Sequence, residues 1–206
     1  MTAQAGSIFS SRSERRTVRQ RIRAERRALP PAERAAADRT ITGYIRRLDA
    51  YRAARRVALF LAFDGEPSLD ALIESASRSG KRLYAPVITR ARMRFAALER
   101  GGPLGTNFFG IEEPHLGDFI DPRRLDLVLT PLVAFDDRGV RIGVGRGYYD
   151  RCFRFLTGRS TWRRPKLLAV AYELQHLPAI DENPWDVPLW GAVTEAGVRR
   201  FERTIR

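Results

Sequence analysis

The sequence has little of what most catalytic sites are recognised by: one cysteine and two histidines in 206 residues. Cys152 alone excludes an internal disulfide and fits a reducing, cytoplasmic setting. It lies far from His115 and His176, so no zinc-ligand spacing exists. No Ser-His-Asp or Cys-His arrangement is in view either, which argues against nucleophilic catalysis by the protein. No apolar run approaches the ~20 residues that cross a bilayer. The N-terminus is polar and has no apolar h-region, so neither a secretory signal nor a membrane partner is expected. No internal repeat stands out.

Lysine is scarce as well. Lys81 and Lys166 are the only lysines among 37 basic residues, and the net charge is +13. That excess is local. Residues 1–56 hold 15 arginines and 5 acids, whereas the rest holds 22 basic and 19 acidic residues. A basic arm can bind nucleic acid, but such runs are more often solvated faces or small-anion sites. No nucleic-acid motif accompanies this one, and nucleic acid is not an expected partner.

The apolar content of 44% is ordinary for a globular chain. Residues 1–12 read as a disordered tail and 13–206 as one domain. An Arg-rich helix is expected over 14–29, with Val18, Ile22 and Leu29 as its thin apolar stripe. Pro30 and Pro31 end it, and a second helix runs to about Leu48. Continuous apolar runs at 57–63, 125–135 and 167–173 read as strands buried on both faces. Residues 82–88 and 93–98 read as two more strands, and 192–198 as a short last strand with its turn. Ser68 suits a cap for a helix closed by Gly80. Residues 101–122 read as a long loop. Strands alternating with helices indicate an α/β fold with a mostly parallel sheet covered on both faces.

The stretch GVRIGVGRGYYDR, residues 139–151, stands out. Gly143, Gly145 and Gly147 recur at every second position, which lets a ligand approach backbone N–H groups closely. A strand precedes it, and the apolar run after it suits a helix reaching about Leu156. Strand, glycine loop and helix start together favour phosphate groups. The spacing matches neither the dinucleotide fingerprint nor a Walker A loop, and the glycines alone could be a tight connection. Arg146 could reach phosphate oxygens, and Asp150 could hold a magnesium ion. Tyr148 and Tyr149 could wall an aromatic ligand, or belong to the core.

These residues resemble the 5-formyltetrahydrofolate cyclo-ligase family. The likeness runs from about Arg15 to Glu195. VAFDDRG with GVGRGYYDR is its most specific part. RRTVR (15–19), LAFDGE (61–66), GIEEP (110–114), AYELQ (171–175), Asp186 and VTE (193–195) support it in the same order.

The resemblance implies a three-layer α/β/α fold with a Rossmann-like, mostly parallel sheet. It implies ATP- and magnesium-dependent closure of 5-formyltetrahydrofolate to 5,10-methenyltetrahydrofolate, with ADP and phosphate released. Transfer of the γ-phosphoryl group to the formyl oxygen would create a leaving group that a neighbouring amine displaces. Such chemistry needs positioning and charge neutralisation more than a protein nucleophile.

Carried onto this sequence, Arg15, Arg19, Arg141, Gly143, Gly145, Arg146, Gly147, Tyr148 and Tyr149 would hold ATP. Leu61, Glu66, Val144, Gly145, Arg146, Gly147 and Tyr148 would border the folate. Arg146 and Tyr148 would act at the reacting atoms, and Asp150 and Asp186 would hold magnesium. Asp186 could equally form an Asx turn in its Pro-rich loop. Arg15, Leu132 and Arg146 depart from the family's usual residues, and Leu132 is expected to affect how the glycine loop sits. The expected partner is a small-molecule substrate, and a monomer is expected. The competing readings are a catalytically divergent relative that binds nucleotide or folate, and a basic nucleic-acid-binding module.

Overall fold

The apolar runs become the middle of one sheet. The computed structural model describes residues 11–115, 117–157 and 164–201. Its helices are α1 (Arg12–Ala28), α2 (Pro31–Arg47), α3 (Asp49–Ala53), α4 (Asp70–Arg78) and α5 (Tyr148–Phe153). Its strands are β1 (Arg56–Ala58), β2 (Arg82–Ile88), β3 (Met93–Ala97), β4 (Leu104–Thr106), β5 (Glu112–Pro114) and β6 (Phe119–Ile120). They continue with β7 (Leu127–Thr130), β8 (Ala134–Phe135), β9 (Arg141–Ile142), β10 (Lys166–Val170), β11 (Gly191–Thr194) and β12 (Gly197–Arg200).

The main sheet has the order β12-β11-β10-β7-β1-β2-β3-β6. The five central strands are parallel, and antiparallel strands flank them on both sides. Alternation along the central strands feeds two cores. Val57, Leu127, Leu129, Leu168, Val170 and Val193 face one cluster with Ile41 and Ile45 of α2 and Leu72 and Ala76 of α4. Ala58, Val128, Leu167, Ala169 and Ala192 face the other, with Phe153 of α5 and Leu156. The fold is therefore α/β/α in three layers.

β1 leads through α4 to β2 on one side, while β7 lies against the other side of β1. The strand order reverses between β1 and β7. Open α/β sheets bind ligands in the crevice beyond the carboxyl ends at such a point. Residues 59–66 and 131–135 emerge there.

Several sequence expectations shift. Arg12 is already helical, not tail. Ser11 Oγ accepts from the Glu14 N–H at 3.1 Å while the Glu14 carboxylate accepts from the Ser11 N–H at 2.8 Å, a capping box that starts α1. Residues 1–10 lie outside the described residues. The run 57–63 leaves the ladder after Ala58, with one more bond from the Leu59 N–H to the Tyr84 carbonyl at 2.9 Å, and Asp64 and Gly65 then turn the chain at φ 53° and 75°. The expected loop 101–122 contains the β4–β5 hairpin and the edge strand β6. A second hairpin, β8–β9, separates β7 from the glycine loop. Its Val133, Ala134, Val140 and Ile142 cover Val18 and Ile22. α1 thus packs on a small hairpin, which explains its thin apolar stripe. The helix after the glycines is only α5, followed by a 3-10 turn over Arg154–Leu156.

Candidate active site

The loop after β1 is tied to α1 by arginine. Arg23, Arg26 and Arg27 occupy one helical face by their spacing. The Asp64 carboxylate takes Arg23 Nε at 2.5 Å, Arg27 Nη1 at 3.1 Å and Arg26 Nη2 at 3.4 Å. Arg26 also donates to the Asp64 carbonyl at 3.2 and 2.9 Å, and to the Leu132 carbonyl at 3.4 Å. It therefore bridges the carboxyl ends of β1 and β7 from a site only 2% exposed. Asp64 is the one non-glycine residue at positive φ among the described residues. Three cations around one carboxylate hold that unfavourable conformation.

Glu66 follows on this loop. Its Oε2 accepts from the Phe63 N–H at 3.2 Å, and its Oε1 lies 4.0 Å from Arg26 Nη1. The side chain is 12% exposed. Burial pushes the carboxyl up to about 7, and Arg26 opposes that rise. Leu61 sits half-buried at the start of the same loop.

Across the crevice, Arg19 Nε donates to the Gly143 carbonyl at 2.8 Å. Gly145 has φ 93°, and a Cβ there would lie 3.4 Å from the Arg19 guanidinium carbon. Burial, then the charge of Arg15, lower the Arg19 pKa. An anion beside the pair would offset both effects. Arg15, one turn before Arg19 on the same face of α1, donates to the Asp181 carbonyl.

Gly147 (φ 62°) precedes α5, where a Cβ would meet Arg151 Nη1 at 3.1 Å. Arg151 in turn donates to the Arg146 carbonyl at 2.7 Å. Val144 and Arg146 face solvent. The Arg146 guanidinium lies over the Phe109 ring at 5.5 Å, and Tyr148 meets that ring edge-on at 6.3 Å. The Tyr148 hydroxyl donates to the Thr89 carbonyl at 3.1 Å. Tyr149 turns inward and stacks on Phe153 at 6.2 Å. Its buried hydroxyl has no hydrogen-bond partner. Burial, followed by the nearby Glu66 charge, pushes that phenol well above its ordinary value. Tyr149 thus packs against the core cluster that contains Phe153 rather than standing on the glycine loop's surface.

The segments that carry the two candidate metal carboxylates are tied together by hydrogen bonds. Arg141 Nη2 pairs with Asp150 Oδ1, and Arg141 Nη1 donates to the Val187 carbonyl. The Val187 N–H donates to the same Asp150 oxygen at 3.3 Å, which brings Asp186 alongside. Asp186 Oδ2 accepts from the Asn183 N–H at 3.0 Å and from Asn183 Nδ2 at 3.2 Å, so it does form the local turn. No group of three or more potential metal ligands occurs among the described residues. Magnesium keeps several waters and takes one or two carboxylates together with substrate phosphates. Two carboxylates beside a glycine loop fit that ion and do not fit an all-protein metal cage.

Sequence reasoning missed Asp64 and its arginines, and Phe109. The spacing of Arg23, Arg26 and Arg27 was a signal, hidden among many other arginines. Leu132 is 2% exposed and packs in the core with Phe135 and Phe153, so its bulk is absorbed below the loop. Its carbonyl takes Gln175 Nε2 at 2.8 Å, which gives AYELQ a structural part.

A model of the 5-formyltetrahydrofolate cyclo-ligase family matches residues 11–195. The chain is 34% identical to the 5-formyltetrahydrofolate cyclo-ligase of Haemophilus influenzae, over 86% of this chain and 95% of that one. It is 35% identical to the protein of the same name from Escherichia coli, over 86% and 98%. Among solved structures, the Aquifex aeolicus 5,10-methenyltetrahydrofolate synthetase matches with a TM-score of 0.79 at 28% identity, covering 93% of this chain and 96% of that one. The Mycoplasma pneumoniae 5,10-methenyltetrahydrofolate synthetase shares the fold, with a TM-score of 0.71 at 24% identity over 88% and 99%.

Proposed function

The chain belongs to the 5-formyltetrahydrofolate cyclo-ligase family, and we propose that its crevice joins ATP and folate across the gap between the glycine loop and the Glu66 loop. It is a ligase that converts 5-formyltetrahydrofolate to 5,10-methenyltetrahydrofolate. One observation carries the site assignment. α1 braces both loops, with Arg19 on Gly143 and Arg26 on Asp64.

In this reading Arg15, Arg19, Arg141 and the N–H groups of Gly143, Gly145 and Gly147 receive the nucleotide phosphates, with Arg146 above them and Tyr149 below. α5 is too short to supply much dipole, so the arginines carry the positive potential. Asp150 and Asp186 hold magnesium, which supplies charge neutralisation on the phosphates. Glu66 accepts from adjacent pterin N–H donors with its two oxygens. Leu61 and Val144 give apolar contact, and Tyr148, backed by Phe109, walls the folate.

The formyl oxygen attacks the γ-phosphorus and ADP departs. The neighbouring folate amine then attacks the formyl carbon, loses its proton, and phosphate leaves. Arg146 and Tyr148 border the reacting atoms, where they orient the formyl group and exclude water. The lone thiol Cys152 supports a cytoplasmic setting. No described helix is long and apolar enough to cross a membrane. The enzyme acts as a monomer on small molecules, which size-exclusion chromatography checks.

The test is the methenyl chromophore. Wild-type protein with 5-formyltetrahydrofolate, ATP and magnesium develops it, and omitting either ATP or magnesium abolishes it. Turnover that persists without either would overturn the ATP and magnesium assignment.

A further inference from the structure

We propose that Trp185 is the platform on which the purine base of the nucleotide stacks, in the cavity that opens beside Asp150. The inference rests on the nucleotide reading above and extends it to the base, for which no residue has yet been named.

The cavity has a volume of about 470 Å³, and its walls include Gly147, Asp150, Arg154, Pro184 and Trp185. That volume lies within the range of about 300–1,000 Å³ usual for small-molecule sites. Gly147 ends the glycine loop and Asp150 is the metal carboxylate, so this wall is the phosphate end. The cavity runs from there to Pro184 and Trp185. The space adjoins the phosphate end, so a base attached to phosphates on the loop has room there.

Trp185 is suited to receive it. The indole is 67% exposed, the most exposed of the large apolar side chains described. It makes no ring contact with any described residue. Trp190, by contrast, has Arg200 and Lys166 over its ring at 3.7 and 4.7 Å. A large ring left bare beside a cavity points to a ligand rather than to packing.

Its backbone is nevertheless fixed. The Asp186 carboxylate ties back to Asn183 at 3.0 Å, and the Val187 N–H reaches Asp150 at 3.3 Å. The loop therefore holds the Trp185 backbone next to Asp186 and close to Asp150. The cavity walls are otherwise charged by Asp150, Arg151 and Arg154, so the apolar face of the indole selects a flat aromatic group attached to an anion. Base-on-aromatic stacking is worth enough to change affinity by about tenfold or more, and a purine offers more ring area than a pyrimidine.

Isothermal calorimetry on the full chain separates the parts of the ligand. Wild type is titrated with magnesium-ATP, magnesium-CTP and inorganic tripolyphosphate. Trp185→Ala weakens ATP by about tenfold, leaves tripolyphosphate unchanged, and narrows the preference for ATP over CTP. Trp185→Phe restores most of the ATP affinity. In turnover, the alanine variant raises KM for ATP and not for the folate. Equal ATP affinity in wild type and Trp185→Ala overturns the proposal, as does parallel loss of ATP and tripolyphosphate. If wild type binds neither ATP nor tripolyphosphate, the nucleotide reading itself falls, and this inference falls with it.

Discussion

The Arg26 guanidinium lies 4.0 Å from the Glu66 carboxylate, and both are largely out of water. The ion pair is too long to cancel the burial, so Glu66 titrates at about 7 instead of near 4.5. Its neutral form is the one the fold prefers. The associated stability is complete below pH 4.5 and is lost as pH rises through about 7. The pterin, however, needs the ionised form with two acceptor oxygens.

Stability and substrate capture therefore move oppositely with pH. In wild type, kcat/KM for the folate falls as pH drops below about 7. Glu66→Gln raises KM for the folate about tenfold or more, flattens that limb, and leaves KM for ATP nearly unchanged. Thermal melts show the complementary effect. The stability of Glu66→Gln relative to wild type rises by about 3 kcal/mol between pH 4.5 and 8. A parallel pH profile in both proteins would count against the role of Glu66.

Asp150→Asn keeps the size and the acceptor oxygen for Arg141 while removing the charge. Turnover falls by at least about 100-fold, and the magnesium concentration for half-maximal rate rises. Circular dichroism and the melting temperature stay close to wild type. Arg141→Ala behaves differently, because it strips the partner from Asp150 and leaves the Val187 carbonyl without its donor. It lowers stability by about 2–4 kcal/mol, which urea unfolding measures.

Gly145→Ala tests the loop itself. At φ 93° an L-residue is strained, and the new methyl would touch the Arg19 guanidinium at 3.4 Å. KM for ATP rises about tenfold, and KM for the folate changes little. An unchanged KM for ATP would remove the glycine loop from the phosphate site.

Gly191→Ala tests the fold away from the chemistry. Its methyl would lie 2.6 Å from the Arg199 carbonyl, inside the β11–β12 ladder. Backbone must move, so stability drops by about 1–3 kcal/mol while both KM values hold. Urea midpoints and steady-state kinetics check the pair of outcomes.

The central sheet was legible because Leu127–Thr130 and Lys166–Val170 are short apolar runs whose two faces are both covered. The same signal overran at residues 59–63, where Leu59 and Phe60 stay buried in the core after the strand pairing has stopped. β4, β5 and β6 were not legible, since strands of two or three residues show no alternation. The glycine loop announced itself through local backbone needs. The Asp64 clamp did not, because it depends on three arginines and a carboxylate far apart in sequence. Arg26 in particular is buried by tertiary packing that no spacing reveals.

α1 also acts as a spacer. Arg19 holds one rim of the crevice and Arg26 holds the other, two turns apart on a single rod, about 10 Å along its axis. A hydrogen-bonded helix resists stretching, so the spacing of the two arginine anchors at the crevice mouth is set by the backbone of α1. Tilting α1 would move both rims together, so neither loop can be displaced alone without breaking its arginine tether.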